Sequence, residues 1–195
     1  SISEPTALSA SIGTPSMVSC NGGNNGSATV TGSGGTAAID YTYSWNTTPV
    51  QTTATASNLV AGNYTVTVTD DNGCIATDNV GITEPTALAA TMGSPTMVSC
   101  NGAVPADGSV TVTASGGTVA GSYTYLWSDG QTTATASNLS AGNYSVTITD
   151  DNSCSVAAGP VTITEPSAVL ASMGIPSMVS CSGGNDGSVT VTASG

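Results

Sequence analysis

The chain has 195 residues and contains no Lys, Arg or His, while twelve Asp and Glu residues give it a formal net charge of −12. Without cationic side chains it cannot neutralise phosphates, so we expect no nucleic-acid partner, and anionic membranes should repel it. The absence of His and Lys removes the usual general bases and amine nucleophiles, so we expect that the chain is not an enzyme. No apolar run approaches the roughly 18 residues that span a membrane, so no membrane insertion is expected.

Alternation of apolar and polar residues predicts six or seven short strands in the first eighty residues, since successive side chains of a strand point to opposite faces. Thr and Val favour strands, whereas Gly and Asn favour the turns between them. The predicted strands, in chain order, are centred on 8–12, 28–31, 41–45, 51–56, 64–69 and 75–82.

A repeat of about eighty residues organises the chain. Glu4-Pro5-Thr6-Ala7-Leu8 recurs as Glu84-Pro85-Thr86-Ala87-Leu88 and again, with changes, as Glu165-Pro166-Ser167-Ala168-Val169. The predicted domains are therefore 1–83, 84–164 and the N-terminal part of a third repeat, 165–195. The Glu-Pro steps leave almost no linker, and a proline stiffens the step.

Alternating strands with one apolar face predict two antiparallel sheets packed as a sandwich. Trp45 lies on the third strand, where immunoglobulin-like domains bury a tryptophan. Tyr64 begins the next long strand, where the tyrosine of a tyrosine corner would stand. Asp71-Asn72-Gly73 is typical of a tight hairpin turn. The predicted fold class is all-β, with tandem immunoglobulin-like β-sandwich domains in a linear rod.

The cysteines follow the repeat. Cys20 and Cys74 lie in the first repeat, Cys100 and Cys154 lie at the same spacing in the second, and Cys181 opens the third. We predict disulfides Cys20–Cys74 and Cys100–Cys154, with the partner of Cys181 beyond residue 195. The alternatives are free buried thiols and, less favoured for lack of a CxxC spacing, a metal site. Disulfides indicate an oxidising compartment, so we expect an extracellular, cell-surface location.

Two sets of aromatic residues are candidate binding sites. They alternate along the third strand of each repeat, where exposed rings could stack on sugars. The alternative, which we favour, is that the tryptophan and at least one tyrosine of each set fill the core. The residues are Tyr41, Tyr43 and Trp45 in the first repeat and Tyr123, Tyr125 and Trp127 in the second.

Two acidic pairs, Asp70-Asp71 and Asp150-Asp151, are candidate metal ligands. Calcium prefers six to eight oxygen ligands, and a calcium ion could stiffen a stalk of domains. The alternative, which we favour, is turn formation, because adjacent side chains on an extended chain point to opposite faces. We predict no other cofactor.

An ordered set of motifs resembles the SprB-type repeat of very long surface proteins of Bacteroidota. The pieces are Cys100-Asn101-Gly102, 107–112, 115–118, 123–127, 139–151 and 163–166. The resemblance implies cell-surface adhesins exported by type IX secretion, some of which act in gliding motility, and it implies no catalytic residues. The first repeat departs from the pattern, because Asn25 stands where the pattern has Asp.

The sequence thus predicts an extracellular stalk or adhesin repeat region that forms a filament on a bacterial surface. Surface glycans, abiotic surfaces and other copies in a filament bundle are the expected partners, because weak contacts repeated along a chain add by avidity. The alternative is an array of modules that each bind carbohydrate or calcium.

Overall fold

The computed structural model describes residues 4–36 and 40–195, and all of the regular structure in these residues is β-strand. The first repeat contains β1 (Ser9–Ile12), β2 (Gly26–Ser33), β3 (Thr42–Trp45), β4 (Thr55–Leu59), β5 (Gly62–Thr69) and β6 (Ile75–Ile82). The second contains β7 (Ala89–Met92), β8 (Gly108–Ser115), β9 (Thr124–Trp127), β10 (Thr135–Leu139), β11 (Gly142–Thr149) and β12 (Ser155–Ile163). β13 (Leu170–Met173) and β14 (Val191–Ser194) follow.

Each of the first two repeats forms two three-stranded antiparallel sheets. In the first repeat the orders are β1-β2-β4 and β3-β5-β6, and in the second they are β7-β8-β10 and β9-β11-β12. These are the orders of strands A-B-E and C-F-G of an immunoglobulin-like domain. The predicted all-β, immunoglobulin-like sandwich is confirmed.

The inner faces of both sheets share one core in the first repeat. β2 contributes Val30, β4 contributes Leu59, and the facing sheet contributes Trp45, Val66 and Val68, all at most 2% exposed. The outward positions of the same strands carry Thr and Ser, so period-2 alternation divides each strand between core and solvent.

Two immunoglobulin-like details predicted from the sequence are present. The Tyr64 hydroxyl donates a hydrogen bond of 3.1 Å to the carbonyl of Val60, which is the tyrosine corner, and Tyr144 does the same to Ser140. The buried Trp45 donates from Nε1 to the carbonyl of Thr53 at 3.0 Å, so its polar atom is satisfied in the core.

The fourth strand lies later than the sequence predicted. Thr and Ala suggested a strand over 51–56, whereas β4 occupies Thr55–Leu59. The reason is the side chain of Gln51, whose amide accepts a hydrogen bond from Ser57 N–H at 2.9 Å and donates one to the Ser57 carbonyl at 2.9 Å. This clamp holds the first part of the predicted strand as a turn.

The chain divides into two compact units. One comprises Ser1–Ala89, Ser115–Tyr123 and Thr149–Val156, and the other comprises Ala90–Ala114, Thr124–Ile148 and Ala157–Gly195. The first unit therefore contains the whole first repeat together with two loop regions of the second. The domain boundaries 1–83, 84–164 and 165–195 stay predictions from the sequence. No helix that could cross a membrane was found in the described part of the chain.

Candidate functional site

A disulfide joins Cys20 to Cys154, with a Cα–Cα distance of 5.7 Å and a sequence separation of 134. Cys20 belongs to the first repeat and Cys154 to the second, and both lie in the same compact unit. The bond therefore crosses the boundary between two repeats. Closing a loop of this length stabilises the folded state by about 5 kcal/mol in the chain-entropy description.

The predicted pairings Cys20–Cys74 and Cys100–Cys154 are wrong in this structure, where Cys74, Cys100 and Cys181 are free thiols. Cys74 immediately precedes β6, whereas the loop after Cys20 contacts Glu84, beyond the other end of that strand. The eight residues of β6 span roughly 26 Å. A disulfide needs Cα atoms within about 7 Å, so the two cysteines of one repeat are too far apart to bond.

The Cys-Asn-Gly motif ties the Cys20 loop to the Glu-Pro step that begins the next repeat. Asn21 donates from Nδ2 to Glu84 Oε1 and to the Pro85 carbonyl, both at 3.1 Å. The N–H of Gly22 donates to Glu84 Oε2 at 2.6 Å. The Glu84 carboxylate thus receives two donors from the loop and fixes it at the end of its own repeat.

The turn that carries Cys154 reaches the same loop. Asn152 donates from Nδ2 to the carbonyl of Ser19 at 2.9 Å, directly beside the disulfide. We call Cys20, Asn21, Glu84, Asn152 and Cys154 the boundary site. It combines one covalent bond with hydrogen bonds between side chains and backbone, and all its members lie in one compact unit.

Asp70 and Asp150 organise the turns that carry the second cysteines. The Asp150 carboxylate accepts hydrogen bonds from three N–H groups, those of Thr118 (2.9 Å), Asn152 (3.0 Å) and Cys154 (2.8 Å). Asp70 repeats the arrangement at the same three distances, with the N–H groups of residues 36, 72 and 74. Each carboxylate is at most 7% exposed, so these bonds replace its contact with water.

Hydrogen bonding to the charged form lowers the pKa of both carboxyl groups below the ordinary value. The Thr36 N–H is the largest cause for Asp70, and the Thr118 N–H is the largest cause for Asp150. Burial opposes the effect in both, because it disfavours the charged form. The N–H of the following cysteine then lowers each pKa further.

The Ser-Gly-Gly-Thr segment 33–36 lies directly against the Asp70 carboxylate. We call this arrangement the carboxylate site and the segment its wall. Gly34 and Gly35 both have positive φ, at 75° and 61°. A Cβ atom at Gly35 would lie 2.6 Å from Asp70 Oδ2, and one at Gly34 would overlap the Ala7 carbonyl. The motif therefore needs glycine for conformation and for space. Gly116 and Gly117 repeat it around Asp150.

The predicted calcium ligands lie in these turns. Both oxygens of Asp70, and both of Asp150, accept backbone N–H groups, whereas Asp71 and Asp151 are exposed. The N–H of Asp71 donates to the Thr36 carbonyl at 3.1 Å. In the described residues no group of three or more His, Cys, Asp or Glu side chains is placed to hold a metal ion. The structure gives the carboxylates a role in turn formation, and calcium binding stays a prediction.

In the first repeat, the aromatic residues of β3 and the preceding Tyr41 line the core side of the sandwich. Trp45 and Trp127 are 1% and 2% exposed, so their rings are not available to stack on a sugar. Tyr41 and Tyr43 are half-buried and pack against the core, and the Tyr41 hydroxyl donates to the Gly34 carbonyl at 2.8 Å. Burial is the largest cause of a raised pKa for Tyr43. In the second repeat Tyr123 and Tyr125 are likewise half-buried.

Sequence reasoning missed the pairing of Asn21 with Glu84 and the central position of Asp70. A signal for both is present in the repeat itself, because each residue recurs with its partner at nearly constant spacing. Asn25 in the first repeat and Asp107 in the second are counterparts that make the same hydrogen bond, so this contact does not require a negative charge. Asn25 Oδ1 accepts the Ser19 N–H at 2.9 Å, and Asp107 in the second repeat accepts the Ser99 N–H at 2.9 Å.

The SprB repeat family matches the chain over residues 12–49, 93–132 and 176–195, which together make up half of it. The chain belongs to the SprB repeat family. The resemblance seen in its motifs is thereby confirmed, and membership indicates a surface adhesin-like repeat protein. The matched segments include the Cys-Asn-Gly motif of the first repeat and that of the second.

Among solved structures, the crystal structure of murine CEACAM1b is similar at 16% sequence identity, over 76% of this chain and 93% of that chain, with a TM-score of 0.25. No curated protein matches the chain.

The carboxylate site predicts different costs for two glycine substitutions. Gly73 and Gly35 share a positive φ, but a Cβ at Gly73 would meet nothing within 4 Å. Gly73→Ala should therefore cost only the backbone strain, about 1–2 kcal/mol in the free energy of unfolding. Gly35→Ala should cost at least about twice as much, because its Cβ also displaces the Asp70 carboxylate. Urea denaturation of both variants measures this, and equal costs would contradict the proposed wall.

The lowered pKa of Asp70 and Asp150 predicts acid sensitivity. In the unfolded chain an Asp titrates near about 3.9. Because the folded pKa lies lower, the stabilisation is complete above that value and is lost as the pH falls through the folded pKa. The urea midpoint should therefore fall as the pH is lowered below about 3.9, the unfolded value. The fall should be shallower in a variant carrying Asp70→Asn and Asp150→Asn.

Equal pH slopes in the two proteins would contradict this account. If the double variant does not fold, carbon NMR of the two carboxyl groups in the unaltered chain provides the test. Both should titrate below about 3.9. Titration at or above that value would show that the N–H groups do not stabilise the charged form.

Proposed function

We propose that this chain is the repeat region of an extracellular adhesin, where it acts as a stalk that carries tension between a bacterial cell and its attachment. The observation that carries the proposal is the Cys20–Cys154 disulfide, which links one repeat covalently to the next. A cross-link inside a single repeat would protect that repeat alone. A cross-link over the boundary also protects the joint, which is the place where tandem domains separate under load.

The covalent loop limits how far tension can extend the chain. A force applied at the two ends passes through the sulfur–sulfur bond, so the chain between Cys20 and Cys154 bears no extension while the bond is intact. The loop contains the boundary at Glu84-Pro85 and most of both sandwiches. Unfolding inside the loop therefore lengthens the stalk little, and the native fold can re-form when the load falls.

The surface chemistry suits a spacer that also makes weak contacts. The outward strand positions are mostly Thr and Ser, and the only charges are carboxylates. Net negative charge keeps neighbouring stalks soluble. We propose surface glycans, abiotic surfaces or other copies in a filament bundle as partners, bound weakly at many repeats. Nucleic acid and lipid are not proposed, because the chain has no cation to pair with a phosphate. We propose no catalytic role.

Family membership supports a more specific setting for the stalk. The repeats of this chain resemble the SprB-type repeats of Bacteroidota surface proteins, so we propose export by type IX secretion and adhesion during gliding as the biological context. An extracellular location agrees with a disulfide at the boundary, because such bonds persist in oxidising surroundings.

A force probe on intact cells tests the proposal. A tip that carries an antibody against the end of the stalk distal to the cell, outside residues 20–154, should capture the stalk on unpermeabilised cells and pull it to a defined extension. A reductant should lengthen that extension, because opening the loop releases 134 residue lengths, about 440–480 Å.

The matched control is a strain whose chain carries Cys20→Ser, which should give the long extension without reductant. Capture only after permeabilisation would contradict the surface location. An extension that is the same with and without reductant would contradict the load-bearing loop.

A further inference from the structure

The free cysteines Cys74 and Cys100 are repeat counterparts of the bonded pair. Cys100 occupies in the second repeat the position of Cys20 in the first, and Cys74 occupies in the first repeat the position of Cys154 in the second. The bonded cysteines are half-buried, whereas both counterparts are exposed. A cysteine at a given position of the repeat is thus half-buried where a neighbouring repeat covers it and exposed where none does.

Two hydrogen bonds that hold the bonded loop recur in the loop around Cys100. Asn101 donates from Nδ2 to the Pro166 carbonyl at 3.2 Å, and the Gly102 N–H donates to Glu165 Oε2 at 3.1 Å. These contacts reproduce those of Asn21 and Gly22 with residues 84 and 85. The Cys100 loop is therefore held against the Glu-Pro step at 165–166 as the Cys20 loop is held against the step at 84–85.

A cleft lies beside Cys100. Its volume is about 530 Å³, and it is lined by Ser99, Cys100, Asn101, Pro166, Ala168 and Val169 among others. Ala168 and Val169 are the counterparts of Ala87 and Leu88, which line the cleft at Cys20 together with the turn of Cys154. The cleft at Cys100 therefore presents the surface against which a Cys154-type turn packs.

We propose that Cys100 forms a disulfide with the second cysteine of the repeat that begins at residue 165, and that Cys74 bonds in the same way to the first cysteine of a repeat that precedes residue 1. The partner is a repeat of this chain's own type, since the Cys154 turn is the element that fits the loop. Asn72, the counterpart of Asn152, would donate its side-chain amide to the preceding repeat.

The proposed bonds form an overlapping ladder. Cys100 lies inside the loop closed by Cys20 and Cys154. A bond from Cys100 to the next repeat would therefore begin before the first loop ends, so that every repeat is held by two bonds, one to each neighbour. Opening one bond would leave the boundaries on either side still joined.

Each bond forms by thiol–disulfide exchange with an oxidised glutathione or a dithiol oxidase. The Cys100 thiolate attacks one sulfur of the oxidant and expels its other sulfur as a thiol. The partner cysteine then attacks the mixed disulfide and expels the second sulfur. Two protein thiols lose two electrons and two protons in total, and the oxidant gains them as two thiols.

The test completes the third repeat. The sequence of residues 117–164 is appended after Gly195, the counterpart of Gly116, and the longer chain is oxidised with glutathione. Free thiols are alkylated, and the chain is cut at acidic residues, because it has no Lys or Arg for trypsin. We expect a peptide that links Cys100 to the cysteine copied from Cys154, with Cys20–Cys154 retained and with the alkyl label on Cys74 and Cys181.

The matched control is the longer chain with Cys100→Ser, in which the copied cysteine should take the label while Cys20–Cys154 stays intact. Since Cys100 is exposed in the structure, this change tests pairing rather than folding. The proposal is overturned if Cys100 is fully alkylated in the oxidised longer chain. It is also overturned if Cys100 bonds to Cys154 or to a second molecule.

Discussion

The length of the last strand in each repeat separates the two ends of a sandwich, and the rest of the architecture depends on that separation. β6 and β12 run the length of their repeats, from a cysteine at one end to a Glu-Pro step at the other. The cysteine at the start of β12 is therefore far from Cys100 in its own repeat, and it meets the Cys20 loop at the end of the preceding repeat. Strand length, rather than local sequence, decides which thiols are neighbours.

The motifs shared by the repeats serve this same arrangement. Asp150 gathers three backbone N–H groups and so presents Cys154 on a fixed turn. Glu84 receives donors from Asn21 and Gly22 and so presents Cys20 at the other side of the boundary. Asp150 and Glu84 are carboxylates of the kind that catalysis or calcium binding would use. Here they position two sulfur atoms.

Much of the fold could be predicted from the sequence because it depends on local pattern. Alternation identifies the strands, and Trp45 and Tyr64 indicate the immunoglobulin-like topology from the sequence alone. The error at 51–56 came from a side-chain clamp between Gln51 and Ser57, which strand propensity does not include. Short-range patterns were therefore sufficient for the fold class and insufficient for one boundary.

The disulfide could not be predicted in the same way. Equal spacing of Cys20–Cys74 and Cys100–Cys154 suggested closure within each repeat, and equal spacing is also what a ladder between repeats produces. Only the position of each cysteine along its strand separates the two arrangements. That position depends on the packing of both sheets, which no single motif encodes.

Disulfide mapping of the 195-residue chain tests the central claim most directly. The oxidised protein is alkylated, digested at acidic residues without reductant, and analysed by mass spectrometry. The account predicts one linked peptide pair, which joins Cys20 to Cys154, and an alkyl label on Cys74, Cys100 and Cys181. A peptide pair that joins Cys20 to Cys74, or Cys100 to Cys154, would contradict it.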